Sequence, residues 1–112
     1  MVDRKVVTKV RTYLRAVEAE GIPVSFGVIF GSWVTGGVDQ WSDIDLLVIS
    51  PRFDDGRSRS DIALLWRLAA RIDSRIEPIP CGELQWVEDA SSHVVEVARR
   101  EGERVEPDVE AA

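Results

Sequence analysis

The chain has 112 residues, 45% hydrophobic and 30% charged, with a formal net charge of −6. This bounds a single globular domain with a modest core. It excludes broad, nonspecific binding to a nucleic-acid backbone, which needs a basic surface. The apolar runs are strand-length, far short of the roughly 20 residues of a membrane-crossing helix. Residues 3–20 place Val6, Val7, Val10, Tyr13, Leu14 and Val17 at helical spacings, with Gly21 and Pro23 as the stop. Val24–Phe30, rich in β-branched and aromatic residues, reads as a strand. Gly31-Ser32 ends it and opens a short helix reaching Gly36-Gly37, and Gly37–Trp41 is a loop. Ile44–Ser50 is the second strand, stopped by Pro51, and Arg52–Arg59 is a polar loop turning at Asp54-Asp55-Gly56.

Ser60 is the expected N-cap of the next helix, whose buried face is Ile62, Leu65, Trp66, Ala69 and Ile72. Arg75–Pro80 is a third strand, demoted to a sheet edge by its two prolines. Gly82–Asp89 reads as irregular, Ser92–Glu101 as a last helix, and the acidic tail from Glu103 as frayed. The expectation is an α/β (α+β) domain over residues 1–102, with a flexible tail over 103–112. Its order is α-β-α-β-α-β-α around a small mixed sheet of about three strands. The single cysteine, Cys81, has no internal partner for a disulfide, and no secretory leader is visible. A reducing, cytoplasmic setting is expected.

Chemistry concentrates between Gly31 and Ser50. Asp43 and Asp45 are two apart on a strand, so both carboxylates face one side, with Cα atoms roughly 6.5–7 Å apart. Two like charges this close repel unless a cation sits between them, and an oxygen-only pair suits a hard cation such as magnesium. Taken alone, the pair reads equally as two solvated acids at a strand end. Gly31-Ser32 joins strand to helix, where free backbone N–H groups favour an anion, phosphate above all. Taken alone, it is also a plain glycine turn followed by a serine cap.

Together these motifs make a demanding pattern: Gly-Ser, three residues, Gly36, five residues, then Ser42-Asp43-Ile44-Asp45. The pattern resembles the DNA-polymerase-β-like nucleotidyltransferase superfamily, and within it the minimal nucleotidyltransferases. The resemblance spans about Val2 to Gly102. It implies that Gly31, Ser32 and Ser42 bind the nucleotide phosphates and that Asp43 and Asp45 bind metal. It also implies a third carboxylate from the following strand, for which Glu77 is the candidate, although an aspartate is usual. The implied chemistry is in-line displacement at the α-phosphate of ATP, with two Mg²⁺ ions about 3.5–4 Å apart clamping the attacking and leaving oxygens. Glu77 would bind the second ion or take the acceptor proton, and pyrophosphate would leave toward Gly31 and Ser32. One departure stands out. Many members carry a basic residue inside the Gly-Ser motif, where this chain has Trp33, Val34 and Thr35. Arg52, just after the second strand, is a substitute by sequence position only.

Minimal nucleotidyltransferases of this kind are typically antitoxins paired with a HEPN-domain ribonuclease toxin. The resemblance therefore implies AMP transfer onto a hydroxyl of such a partner. The alternatives are neutralisation by binding alone and, without a visible second domain, transfer to a small molecule of the aminoglycoside type. Trp66 is expected in the core. Trp33 and Trp41 flank the motif and are read as packing or partner contacts before base-stacking platforms. Trp86 falls in the irregular segment. His93 lacks the companions of a zinc site, and Cys81 reads as a buried small residue.

Overall fold

A computed structural model describes residues 2–88 and 92–107. Helix α1 (Arg4–Ala19) begins where the Asp3 carboxylate accepts the Lys5 N–H at 2.8 Å. It buries the stripe read from its periodicity, Val6, Val7, Val10, Tyr13, Leu14 and Val17. Strand β1 (Phe26–Phe30) leads through Gly31 into the one-turn helix α2 (Ser32–Thr35), followed by strand β2 (Ile44–Ile49). Helix α3 (Arg59–Ile72) and strand β3 (Ile76–Cys81) come next, then α4 (Glu83–Glu88), α5 (His93–Glu101) and β4 (Glu103–Val105).

The sheet order is β3-β2-β1-β4. Strand β1 pairs antiparallel with both β2 and β4, whereas β2 and β3 run parallel. Alternation divides the sheet between two cores. One face, with Ile29, Ile44, Leu46, Val48 and Ile76, packs under α1 and α3. The other, with Phe26, Val28, Phe30, Leu47 and Ile49, packs against Val95 and Ala98 of α5. Strand β3 lies at the edge, as Pro78 and Pro80 require.

Five expectations are corrected. Residues from Glu103 do not fray within the described range, because β4 pairs with β1 and buries Val105. The Val2 N–H donates to Glu103 Oε1 at 3.1 Å, and Arg11 and Arg15 donate to the Glu106 and Pro107 carbonyls. The sheet therefore has four strands. Residues 108–112 lie outside the described residues. Gly82 is followed by α4, whose Leu84 N–H donates to the Asp54 carboxylate, a cap supplied from a distant turn. Asp89 lies outside the described residues. Within the expected polar loop, Pro51–Asp55 is a 3₁₀ turn that buries Phe53. Ser58, not Ser60, caps α3 by accepting the Asp61 N–H at 3.1 Å, the reach from N-cap to N3. Trp66 is 47% exposed, since the buried stripe of α3 is Leu65, Leu68 and Ala69 and Trp66 stands 100° round the helix from Leu65.

Among the described residues, no helix is long and apolar enough to cross a membrane.

Candidate active site

Strand pairing brings the acids together. Asp45 is the register partner of Phe30 in β1 and of Glu77 in β3. In a sheet, directly opposed residues project to the same side. Asp45 and Glu77 therefore rise from the α5-side face at the end of β2 and β3 where both strands begin. Ile44 points the other way into the α1-side core and is fully buried. The Ile44 N–H donates to the Arg75 carbonyl at 2.7 Å, which locks the start of β2 onto the start of β3. Asp43, exposed and just before the strand, stands near enough to Glu77 for the two carboxyl groups to interact.

This crowding raises proton affinity. The interaction with the Asp43 carboxyl pushes the Glu77 carboxyl above its ordinary value, helped by burial and by the charges of Asp43 and Asp45. Burial pushes Asp45 up as well, with the Asp43 charge adding to it. No ion pair among the described residues reaches any of the three acids. The cluster is a concentrated negative field awaiting a cation or a proton.

Gly31 closes one side. Its backbone, at φ 79° and ψ −148°, lies in a region essentially limited to glycine. A Cβ there would overlap Asp45 Oδ2 and stand 3.4 Å from its Cγ. The turn thus lies directly against the carboxylate, and a side chain would fill the space between them. Ser32 is exposed and is the first residue of α2, with Gly31 ahead of it at the N-cap. The Gly-Ser turn and the acid pair, distant in sequence terms, are neighbours through the β1–β2 pairing.

The loop from α2 to β2 is tied down by its own side chains. Ser42 Oγ accepts the Asp39 N–H at 3.1 Å, and Asp39 Oδ1 accepts the Trp41 N–H at 2.8 Å. Ser42 is thus engaged in shaping the loop that delivers Asp43. Two further ties were not legible in the sequence. The Trp33 indole N–H donates to the Ser42 carbonyl at 3.1 Å, and Arg75 donates to the Gln40 carbonyl at 3.0 Å. The Arg75 guanidinium also lies 5.5 Å from the centre of the Trp33 ring. Arg75 and Trp33 therefore brace the loop, and only tertiary contact reveals it. Trp41 itself is 78% exposed. Arg52 does not reach the acids. It forms a two-pronged pair with Asp61 at 2.8 and 3.0 Å, which holds the Asp61 carboxyl below its ordinary range.

The donor set is oxygen only, as a hard divalent cation requires. Among the described residues, no three acids, histidines or cysteines already stand in closed ligating geometry. What the chain presents is an open cluster whose mutual repulsion a cation would relieve, and in that chemical sense the residues fit one. Cys81 is buried and His93 is exposed, and neither reaches the cluster.

The fold and this corner together define a small α/β domain with an acidic cleft edged by a glycine turn. The chain belongs to the nucleotidyltransferase domain family, which it matches over residues 10–101. Two solved structures share the fold. One is a putative nucleotidyltransferase from Sulfolobus solfataricus, 18% identical, with a TM-score of 0.55, covering 72% of this chain and 70% of that one. The other is a toxin–antitoxin structure with AMP-PNP, 22% identical, with a TM-score of 0.56, covering 84% of this chain and 70% of that one. The search of curated proteins returned no match.

Proposed function

We propose that this protein transfers AMP from ATP to a hydroxyl of a partner protein, a HEPN-type ribonuclease toxin, and so acts as an antitoxin. The observation that carries the reading is the meeting of Asp43, Asp45 and Glu77 beside the Gly31 turn. The structural relative with AMP-PNP, an ATP analogue, supports both the nucleotide and the setting. Asp43, Asp45 and Glu77 would hold Mg²⁺. When bound, the metal supplies charge neutralisation at the reacting phosphate and lowers the pKa of the attacking hydroxyl.

The chain's own residues do the rest. Gly31 keeps the turn free of a side chain, so a phosphate can approach the backbone. Ser32 offers its exposed hydroxyl to a phosphate oxygen. Glu77, with its raised proton affinity, takes the proton of the acceptor hydroxyl. The acceptor oxygen bonds to the α-phosphorus as the bond to the β-phosphate oxygen breaks, and pyrophosphate leaves along the Gly31-Ser32 side.

The test is incubation with α-labelled ATP, magnesium and the candidate toxin, beside the Asp43→Ala/Asp45→Ala variant. Label on the toxin that vanishes in the variant supports the reading. Tight association without label, unchanged in the variant, sinks it. That second outcome belongs to a competing reading, neutralisation by contact alone. A specific observation favours it: Arg52, the nearest basic candidate by sequence, is committed to Asp61.

A further inference from the structure

The three acids of the cleft are not held alike. Asp45 and Glu77 sit in paired strands, and the register fixes them. Asp43 precedes β2 and is exposed, so the sheet does not fix the backbone that leads into it. The chain reaches Asp43 through a loop that opens on Gly36 and Gly37, both at positive φ. Glycine has wide conformational freedom and no side chain to pack, so this entry does not stiffen the loop. The bonds among Asp39, Trp41 and Ser42 give the loop a shape without attaching it to the domain.

Attachment comes from two residues outside the loop. Among the described residues, two hydrogen bonds run from residues 37–42 to the rest of the domain: Trp33 to the Ser42 carbonyl and Arg75 to the Gln40 carbonyl. Trp33 packs against the α1-side core, so its indole is a fixed donor. Arg75 is fixed from another side. Its Nε and one terminal nitrogen donate to the Asp73 carboxylate at 3.0 and 2.7 Å, and Asp73 is the C-cap of α3. The other terminal nitrogen serves Gln40, and the Arg75 carbonyl accepts the Ile44 N–H. Both neighbours of Asp43 are therefore pinned, Ser42 by Trp33 and Ile44 by Arg75.

We infer that Trp33 and Arg75 are positioning residues that set the cation affinity of the acid cluster, by holding Asp43 beside Asp45 and Glu77. The inference rests on the reading of that cluster as a metal site. A loose loop must be ordered when the cation binds, which lowers affinity, whereas a braced loop is ordered already on folding. Charge alone predicts the opposite sign. A neutral residue in place of Arg75 unpairs Asp73 and makes the neighbourhood more negative, which favours a cation. A loss of affinity on that change therefore reports geometry.

The test is titration with Mn²⁺, a divalent probe suited to oxygen donors, followed by electron paramagnetic resonance. Asp43→Asn/Asp45→Asn gives the baseline for scattered binding at other acids. Trp33→Phe keeps the ring and removes only the indole N–H, and Arg75→Gln removes the fork. Each should weaken Mn²⁺ binding roughly tenfold. Val17→Ala, a core change in the last turn of α1, should bind as the parent does. Circular dichroism checks that every variant is folded, and Trp33→Phe carries the test if Arg75→Gln is not. Unchanged affinity in a folded brace variant, or an equal loss in Val17→Ala, overturns the inference and leaves the metal reading standing. A parent that binds no more Mn²⁺ than the baseline overturns both.

Discussion

Replacing Gly31 with alanine tests the geometry of the cleft through stability alone. Two separate penalties follow from the structure. The backbone conformation, φ 79° and ψ −148°, costs a non-glycine residue about 1–3 kcal/mol. The added Cβ also overlaps Asp45 Oδ2, so the carboxylate or the β1–α2 turn must move. Such overpacking costs a further 1–3 kcal/mol or so. The sum, about 2–6 kcal/mol, is a large share of the roughly 5–15 kcal/mol that a domain of this kind has. At about 4 °C per kcal/mol, the melting temperature should fall by roughly 8–24 °C. Urea denaturation of the parent, Gly31→Ala, Asp45→Ala and the double variant separates the two terms. Shortening Asp45 removes the overlap and leaves the backbone strain, so a coupling energy of about 1–2 kcal/mol is expected. Additivity within error would refute the contact between the turn and Asp45. A Gly31→Ala protein as stable as its parent would refute the turn itself.

Magnesium should stabilise the protein by relieving repulsion among Asp43, Asp45 and Glu77. At a concentration tenfold above the dissociation constant, the gain is about 1.4 kcal/mol, or roughly 6 °C, and Asp43→Asn/Asp45→Asn should abolish it in a thermal melt. Because Asp45 and Glu77 are pushed up in the folded state, that state holds their protons longer than the unfolded chain does. Their contribution is therefore most favourable below about pH 4 and declines as pH rises through the raised values. The stability of Asp45→Asn relative to the parent should accordingly improve as pH rises through that window, and urea titrations across the acid range that show the opposite slope would contradict it. Ending the chain at Gly102 should cost at least about 1.5–3 kcal/mol from the burial of Val105 alone, and an unchanged melting temperature would return the segment to a frayed tail. Leu65→Ala should cost about 2–5 kcal/mol, whereas Trp66→Ala should cost much less, and equal losses would place Trp66 in the core.

How much of this was legible in the sequence depends on the range of the interaction responsible. The α1 stripe was readable because helical periodicity is a local property. So was the meeting of strand and glycine at Phe30-Gly31, since β-branched runs and glycine turns act on their own residues. The capping serine of α3 was displaced by two residues because Ser58 and Ser60 are equally good locally, and the Arg52–Asp61 pair lies beside the choice. Helix α4 escaped notice because its cap, Asp54, comes from a different turn. Strand β4 has only three residues and no alternation long enough to read, and it exists because β1 offers it an edge.

The sequence by itself determined the composition of the cleft: a glycine that tolerates its backbone angles, two aspartates at strand spacing, and an all-oxygen donor set. Those are properties of residue type and of intervals of one or two residues. Tertiary structure alone decided that Glu77 stands opposite Asp45, since that register is made by two strands more than thirty residues apart in sequence. It also assigned Arg52 to Asp61 and Arg75 to the loop carrying Asp43, because a long cationic side chain goes to whichever acceptor packing brings within reach.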